Sequence, residues 1–358
     1  MLRWSYISYS RELPQPIVTA HGAYCRRDGF IVCVDSEHGC AGLGDVAPLP
    51  GFSRESLPEA LAQWEALVPQ LVELSLPMSV SDLRATMRKL DADRTTYPSL
   101  RFGIESALAD AAACLAQQPL RQWLNPGAVA SIEINALLKS QDVDDLIAEF
   151  DQRAGEGYTC FKVKVGVADV SDDVRRLRAL RNHSQAARLR PDVNAGWSSE
   201  QLQTFCRACR DLHLEFIEQP LAVGHARQAR QICRDAGIRL ALDEEVVNTA
   251  DAEQLLCDDL CDVLVLKPVT VGGMTPCLEL AHVARRRGKQ IVLTSAWESD
   301  VGLAATAHLA AACGDVAAVS GLSTAGTIAD GLVSPALVIE RGRIDLGAAS
   351  GLGLSLVR

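Results

Sequence analysis

Positive charge is in short supply and nowhere concentrated. The 358-residue chain carries 35 Lys and Arg against 45 Asp and Glu, a net charge of −10. A nucleic-acid surface needs clustered cations to neutralise phosphates, so nucleic acid is not an expected partner. Long apolar runs are missing too. None approaches the roughly 20 residues that cross a bilayer, so no membrane association is expected. The opening MLRWSYISYSRELPQP lacks the continuous apolar stretch of a secretion signal, and the expected location is the cytoplasm. Cysteine is plentiful, at twelve, but no second ligand pair accompanies the C-x-x-C of Cys206 and Cys209 with His213. QLQTFCRACRDLHL has helical periodicity, so these three residues, like Cys257 and Cys261, are read as sharing a helix and not as zinc ligands. At 48% hydrophobic and 22% charged, the chain is an ordinary globular one, long enough for a barrel plus a smaller domain.

The order of patterns predicts two parts. Residues 16 to 46 alternate apolar and polar positions between glycine-containing breaks, as antiparallel strands do. Helical patterns follow at Ser56 to Leu74, in SVSDLRATMRKLDA with Ser79 or Ser81 as its cap, and in the Ala-rich PSLRFGIESALADAAACLAQQPL. From about Ser131 the runs SIEINALL, CFKVKVG, ARLRPDV, LEFIEQP, IRLALDE, DVLVLKP and QIVLTSA alternate with helical segments, and DVAAVSGL offers an eighth. The predicted fold is α/β: a modified (β/α)8 barrel of the (β/α)7β kind over residues 126–324. An α+β capping domain over 1–125 is completed by the strand- and glycine-rich segment from about 325 to 358.

Charged residues recur at the ends of those apolar runs. Lys164, Asp192, Glu218, Asp243 and Lys267 are separated by 28, 26, 25 and 24 residues. One strand plus one helix of a (β/α)8 barrel takes about 30 residues, so successive strands are expected to deliver one charge each to a common mouth. In FKVKVG, Lys162 and Lys164 share a strand face while Phe161, Val163 and Val165 share the other. The apolar set belongs under the helices and the lysines in the lumen, where burial lowers an ammonium pKa toward that of a general base. An exposed edge strand is the alternative. Three carboxylates offer hard oxygen donors to Mg²⁺ and leave positions open for a substrate carboxylate, whose α-proton then becomes removable. Taken singly, Asp192 or Asp243 reads as a helix N-cap, and Lys267 as a partner of Asp243 or Glu244. Asp169, Asp172 and Asp173 read as a solvated helix start. Glu298 ends the next strand as a helix cap or a supporting group. Gly272 and Gly273 open a helix whose free N–H groups would receive an anionic substrate tail, with a plain turn as the alternative. The loop AHGAYCRRDG offers Arg26 and Arg27 to a carboxylate, with solvated loop arginines as the alternative.

KVKVG, DVNAGW, FIEQP, ALDEE and VLKP, in this order, resemble the enolase superfamily in its muconate-lactonising subgroup. GLGDVAPLPGFSRESL, PSLRFGIESALADA and TSAWESDVGLA are most similar to the o-succinylbenzoate synthases. The resemblance implies a carbon–oxygen lyase (a hydro-lyase) with Mg²⁺ on Asp192, Glu218 and Asp243, Mn²⁺ substituting. Lys164 would take the proton α to the carboxylate of 2-succinyl-6-hydroxy-2,4-cyclohexadiene-1-carboxylate and then assist loss of the hydroxyl in a syn dehydration. Lys267 would stabilise the enediolate from the opposite face, and Lys162 would tune Lys164. Asn194 would lie near the metal ligands. Asn194, Gly51, Phe52, Ser53, Arg26, Gly272 and Ser295 would contact the small-molecule carboxylate substrate. The product is an intermediate of menaquinone or phylloquinone synthesis. Asp45 stands where the synthase pattern usually has Glu. The same metal site serves N-succinylamino acid racemases and dipeptide epimerases, in which two lysines work on opposite faces; the epimerase acid after the last strand would have to be Asp330. Muconate cycloisomerisation, a non-catalytic anion-binding barrel and a Schiff-base aldolase rank lower, the last leaving the three carboxylates without a task.

Overall fold

Apolar and polar side chains alternate through the opening segment, and the chain folds there into an antiparallel meander. Its strands are β1 (Arg3–Thr19), β2 (Gly22–Asp35) and β3 (Ala41–Val46). The structure, a computed structural model, describes residues 2–19, 22–37, 39–93, 95–325 and 331–357. β1 begins well before the predicted residue 16. Its pairing with β2 runs from Arg3↔Asp35 to Thr19↔Gly22, with a register shift between Glu12 and Ile17. Pro14 and Pro16 lie in that shift and cannot donate to a ladder, which hid the strand in the sequence.

Four helices complete this half. α1 (Leu57–Leu71) starts at a capping box of Ser56 with Glu59. Ser79, not Ser81, caps α2 (Val80–Leu90), accepting from the Asp82 N–H at 3.1 Å. α3 (Pro98–Leu115) is buried on nearly every side and is followed by the short α4 (Leu120–Leu124). α3 lies against β3 at glycines: a Cβ on Gly44 would stand 1.8 Å from the Gly103 carbonyl oxygen. Only bare backbone fits there.

Beyond β4 (Ser131–Glu133) the strands β5 (Ala136–Leu138), β6 (Cys160–Lys164), β7 (Arg188–Asp192), β8 (Ile217–Glu218), β9 (Leu240–Leu242), β10 (Val263–Leu266) and β11 (Gln290–Leu293) form one parallel sheet in consecutive order. Between them run α5 (Val143–Gly155), α6 (Val170–His183), α7 (Ser199–Ala208), α8 (Ala226–Ala236), α9 (Thr249–Cys257), the single turn α10 (Pro268–Val271) with α11 (Met274–Arg286), and then α12 (Asp300–Cys313). Residues 317–321 bridge to Ile291 and Thr294 on one side and to Ile134 on the other, closing the sheet as an eighth strand. The result is the (β/α)7β barrel with an α+β cap that the sequence patterns predict.

Strand parity sets the interior. Phe216, Ala241, Val263, Val265 and Val292 pack as a separate buried cluster inside the barrel with Ala318 against them. Two residues further along their strands stand Glu218, Asp243 and Lys267, carried inward by the same parity. Arg190 belongs to this deep layer: it is 1% exposed, pairs with Glu215 at 2.8 Å and lies 4.7 Å over the Phe216 ring. On the outer face, Phe161 meets Phe150 of α5 with centroids 4.4 Å apart.

Two local readings change. α7 stops at Ala208, so Cys206 and Cys209, both buried, do not share one helix with the exposed His213, whose backbone is left-handed. Asp173 is no solvated helix start. It is fully buried, accepts from the Gly166 N–H at 2.8 Å and pairs with the equally buried Arg176 at 2.5 Å.

The C-terminal segment returns to the cap, but its strands are short: β12 (Val333–Ser334) pairs with β14 (Ser355–Leu356), and β13 (Arg343–Asp345) pairs with β4. The tie to the cap is a carboxylate. Buried Asp110 of α3 accepts the Leu43 N–H of β3 at 2.8 Å and the Leu352 N–H of the returning chain at 2.7 Å. Among the described residues, no helix is long and apolar enough to cross a membrane.

Candidate active site

Parallel registration assembles the barrel mouth. β6 lies beside β7 with Lys164 opposite Asp192, and β7 lies beside β8 with Asp192 opposite Glu218. Glu218 is opposite Ala241, one turn of the pleat before Asp243. The three acids thus sit on adjacent strands, with Asp192 and Glu218 at most 2% exposed and Asp243 9%. Lys164 extends from the second barrel strand and Lys267 follows the sixth. In an eight-stranded closure these are four strands apart either way, so the two ammonium groups approach the mouth from opposite sides.

Each acid is held by lysine. Lys162 Nζ bridges Asp192 Oδ2 at 2.9 Å and Glu218 Oε1 at 2.8 Å, and Lys164 Nζ reaches Asp192 Oδ2 at 2.6 Å. Lys267 is bonded to Asp243. Asn194, at positive φ, accepts from Lys164 at 2.5 Å, and its amide donates to Glu244 Oε1 at 3.1 Å. As arranged, no group of three Asp, Glu, His or Cys side chains among the described residues is set to enclose an ion. Geometry excludes the helix-cap and edge-strand alternatives, while Lys267 does pair with Asp243, as its plainer reading has it. Ser198 and Asn248 cap the helices that follow Asp192 and Asp243, and β6 is an interior strand.

Electrostatics at the mouth differ from the expectation for buried lysine. Burial alone depresses an ammonium pKa. Around Lys162 the charges of Asp192, Glu218 and Asp243 outweigh burial, and its pKa lies well above the usual lysine value. Lys267 moves the same way, with Asp243 overriding burial. Glu218 is raised by burial and by the neighbouring Asp192 charge, whereas Asp192, despite burial, is lowered by the two lysines. Glu244 is raised by burial and by Asp243.

The cap closes one side of the mouth. Gly51, Phe52 and Ser53 line a cavity of about 230 Å³ together with Asp243, Glu244 and Lys267. Their loop is fixed internally, the Phe52 and Ser53 N–H groups donating to Leu49 O and the Leu49 N–H to Ser53 Oγ, while Tyr24 OH donates to Pro50 O at 2.8 Å. Ser295, beyond the seventh barrel strand, is buried and hydrogen-bonded to Thr324 Oγ1 at 2.7 Å. A larger groove of about 610 Å³ between α2, α9 and α11 holds no comparable constellation; its Arg84 and Arg88 both pair with Glu279.

Two expected substrate contacts are occupied otherwise. Gly272 and Gly273 precede α11 as predicted, but the anion at that helix start is the cap's Glu105. Its carboxylate accepts the Met274 N–H at 2.5 Å and the Thr275 N–H at 3.2 Å, while Arg101 donates to Gly272 O. Arg26 is exposed, pairs with Asp28 at 3.2 Å and does not line the cavity.

Its neighbour Arg27 has a role that no local pattern announced. It is 2% exposed and donates to Trp297 O at 2.9 Å, Pro48 O at 2.8 Å and Ala47 O. The clamp joins the cap loop to the end of the seventh barrel strand. Beside it, Asp45 accepts the Ser299 N–H at 2.7 Å and Tyr9 OH at 3.0 Å, and Glu298 folds back on the Ala296 N–H with both oxygens at 2.9 Å. Arg27→Met leaves two buried carbonyls and the part-buried Trp297 carbonyl without this donor, and hydrogen bonds from a charged donor contribute about 1.5–3 kcal/mol. Urea unfolding is therefore expected to show a loss of that order, and a loss below about 0.5 kcal/mol would deny the clamp a structural role.

Comparison with known proteins matches this geometry to a family. The sequence fits the family described as Enolase C-terminal domain-like over residues 145–358 and the one described as MenC, N-terminal domain over residues 4–111. It is 28% identical over 311 residues to the N-succinyl-L-Arg/Lys racemase of Bacillus cereus, covering 84% of this chain and 82% of the relative. It is 29% identical over 305 residues to the o-succinylbenzoate synthase of Yersinia enterocolitica, covering 84% of each. The fold superposes on the dipeptide epimerase of Methylococcus capsulatus, solved with Mg and the dipeptide L-Arg-D-Lys, with a TM-score of 0.87, 25% identity and 98% of both chains covered. With the family match spanning more than half of the sequence and running through the barrel that carries these acids and lysines, the chain belongs to the enolase superfamily.

Proposed function

We propose that this protein is an o-succinylbenzoate synthase. It removes the proton α to the carboxylate of 2-succinyl-6-hydroxy-2,4-cyclohexadiene-1-carboxylate and expels the hydroxyl from the same face, leaving o-succinylbenzoate and water. The observation that carries α-proton abstraction is the pair of opposed lysines, Lys164 and Lys267, across three adjacent carboxylates beneath the cap loop of Gly51, Phe52 and Ser53. The match of the cap to the MenC N-terminal domain supports the synthase over its relatives.

The donor set suits a divalent cation, Mg²⁺ first and Mn²⁺ in its place. Asp192, Glu218, Asp243 and Glu244 bring four carboxylates against the three ammonium groups of Lys162, Lys164 and Lys267, and Glu244 Oε2 is buried without a hydrogen-bond partner. Asp192, Glu218 and Asp243 would hold the ion. When bound it supplies charge neutralisation to the substrate carboxylate as the α-proton leaves.

Lys164 Nζ in its neutral form takes the α-proton and returns it to the departing hydroxyl. Both events use one face because one nitrogen performs them. Lys267, facing it, offers its ammonium to the enediolate oxygens. Lys162 keeps Asp192 and Glu218 in place and adds positive charge beside Lys164. Racemisation of N-succinyl amino acids is the second reading, favoured by the same opposition of lysines, since a proton removed from one face can return from the other. Asp330, the acid an epimerase would need, lies outside the described residues.

Loss of diene absorbance on mixing protein, the cyclohexadiene substrate and Mg²⁺ is the expected result, halted by a chelator. Absence of metal-dependent turnover sinks the synthase reading. N-succinyl amino acids in D₂O test the rival: α-deuterium incorporation with inversion, faster than dehydration, reverses the order of the two.

A further inference from the structure

The cavity beneath the cap holds two cations, Lys267 and Arg54. Lys267 is committed to Asp243 at the reacting end. Arg54 is exposed and makes no hydrogen bond or ion pair with any described residue. The other cap arginines near the mouth are engaged: Arg26 on Asp28, Arg27 on backbone carbonyls, and Arg101 on Gly272 O. Both neighbours of Arg54 are anchored. Ser53 Oγ accepts the Leu49 N–H at 2.9 Å, and the buried Glu55 carboxylate is turned onto Ser99 at the start of α3, accepting its N–H at 3.0 Å and its hydroxyl at 2.5 Å. Glu55 is thus directed to the helix, and the Arg54 backbone is held while its guanidinium stays free.

We propose that Arg54 is the specificity residue that binds the substrate's second carboxylate, the one at the far end of its chain. The inference rests on the dicarboxylate reading of the function given above. A guanidinium takes a carboxylate through two parallel N–H donors, so it fixes the chain's direction as well as its charge. With the first carboxylate at the acid and lysine cluster, a cation on the cap side of the same cavity sets the length of substrate that spans the two. An uncharged tail of equal size leaves the guanidinium without its partner and is discriminated against.

The test uses o-succinylbenzoate and its analogue with the terminal carboxylate replaced by a primary amide, titrated calorimetrically against the Mg²⁺-loaded protein. The wild type is expected to bind the acid about 10- to 100-fold more tightly than the amide, the range of one charge-assisted pair. In Arg54→Ala that ratio falls to near one by weakening the acid alone, and Arg54→Lys recovers part of it. If the wild type discriminates and Arg54→Ala keeps the ratio, or weakens both compounds equally, the assignment of Arg54 is overturned while the functional reading stands. If the wild type binds neither compound and does not turn over the cyclohexadiene, the functional reading itself fails and the inference falls with it.

Discussion

Lys164→Ala is expected to lower turnover of the cyclohexadiene by about 10²- to 10⁴-fold, the contribution of a positioned general acid–base group. No neighbour can take over. Lys162 is fastened between Asp192 and Glu218, and Lys267 lies across the mouth on Asp243. The variant is informative because its second consequence has the opposite sign. Lys164 Nζ occupies Asp192 Oδ2 at 2.6 Å, and its removal frees that oxygen of one competitor, so Mg²⁺ binding is expected to be retained or tightened. Calorimetry with Mg²⁺ reads this without any reaction. Lys164→Arg should be just as inactive, since a guanidinium keeps the charge but cannot give up a proton near neutral pH. A variant that retains more than about a tenth of the rate would show that another group removes the proton. Loss of Mg²⁺ binding would instead move Lys164 from chemistry to site assembly.

What could be read from the chain was what local rules determine. Period-two alternation turned Lys162 and Lys164 inward because Phe161, Val163 and Val165 needed the helices, and even spacing put Asp192, Glu218 and Asp243 on neighbouring strands. The interactions that the sequence concealed join residues far apart in it. The helix start at Gly272 and Gly273 was visible as an anion site, but its anion, Glu105, comes from 169 residues earlier. Arg27 and Trp297, which clamp cap to barrel, are 270 residues apart. Between Arg26 and Arg27 no local feature tells which one is buried; packing on the backbone beyond the seventh barrel strand decides it. Lysine pKa values also eluded the sequence, because their direction depends on which carboxylates lie within reach, and three of them surround Lys162.

Asp110→Ala tests the other long-range tie and is expected to cost about 2–6 kcal/mol of stability. Asp110 lies on α3, and its two oxygens accept buried N–H groups from β3 and from the returning C-terminal segment. Alanine leaves both donors unpaired, at about 1–3 kcal/mol each. The arrangement also sets a pH dependence. Burial raises the Asp110 carboxyl from 3.8 to about 7, against the lowering effect of the Leu352 and Leu43 N–H groups. The folded state therefore holds this proton more tightly than the unfolded chain does. Its contribution is complete below pH 4 and is lost as the pH rises through about 7. Glu298, raised by burial from 4.5 to about 7, contributes with the same sign. Urea midpoints of the wild type should fall between pH 4 and 7, and Asp110→Asn, which cannot ionise, should flatten that slope by about one proton, or about 1.4 kcal/mol per pH unit. Since Asn offers only one acceptor oxygen, it should also be less stable than the wild type at pH 4, where a neutral carboxyl still spans both amides. An unchanged slope with reduced stability would mean that Asp110 ties the segments together without carrying the titration. Stability within about 0.5 kcal/mol of the wild type in Asp110→Ala would remove the carboxylate from the account of how the C-terminal segment is held to the cap.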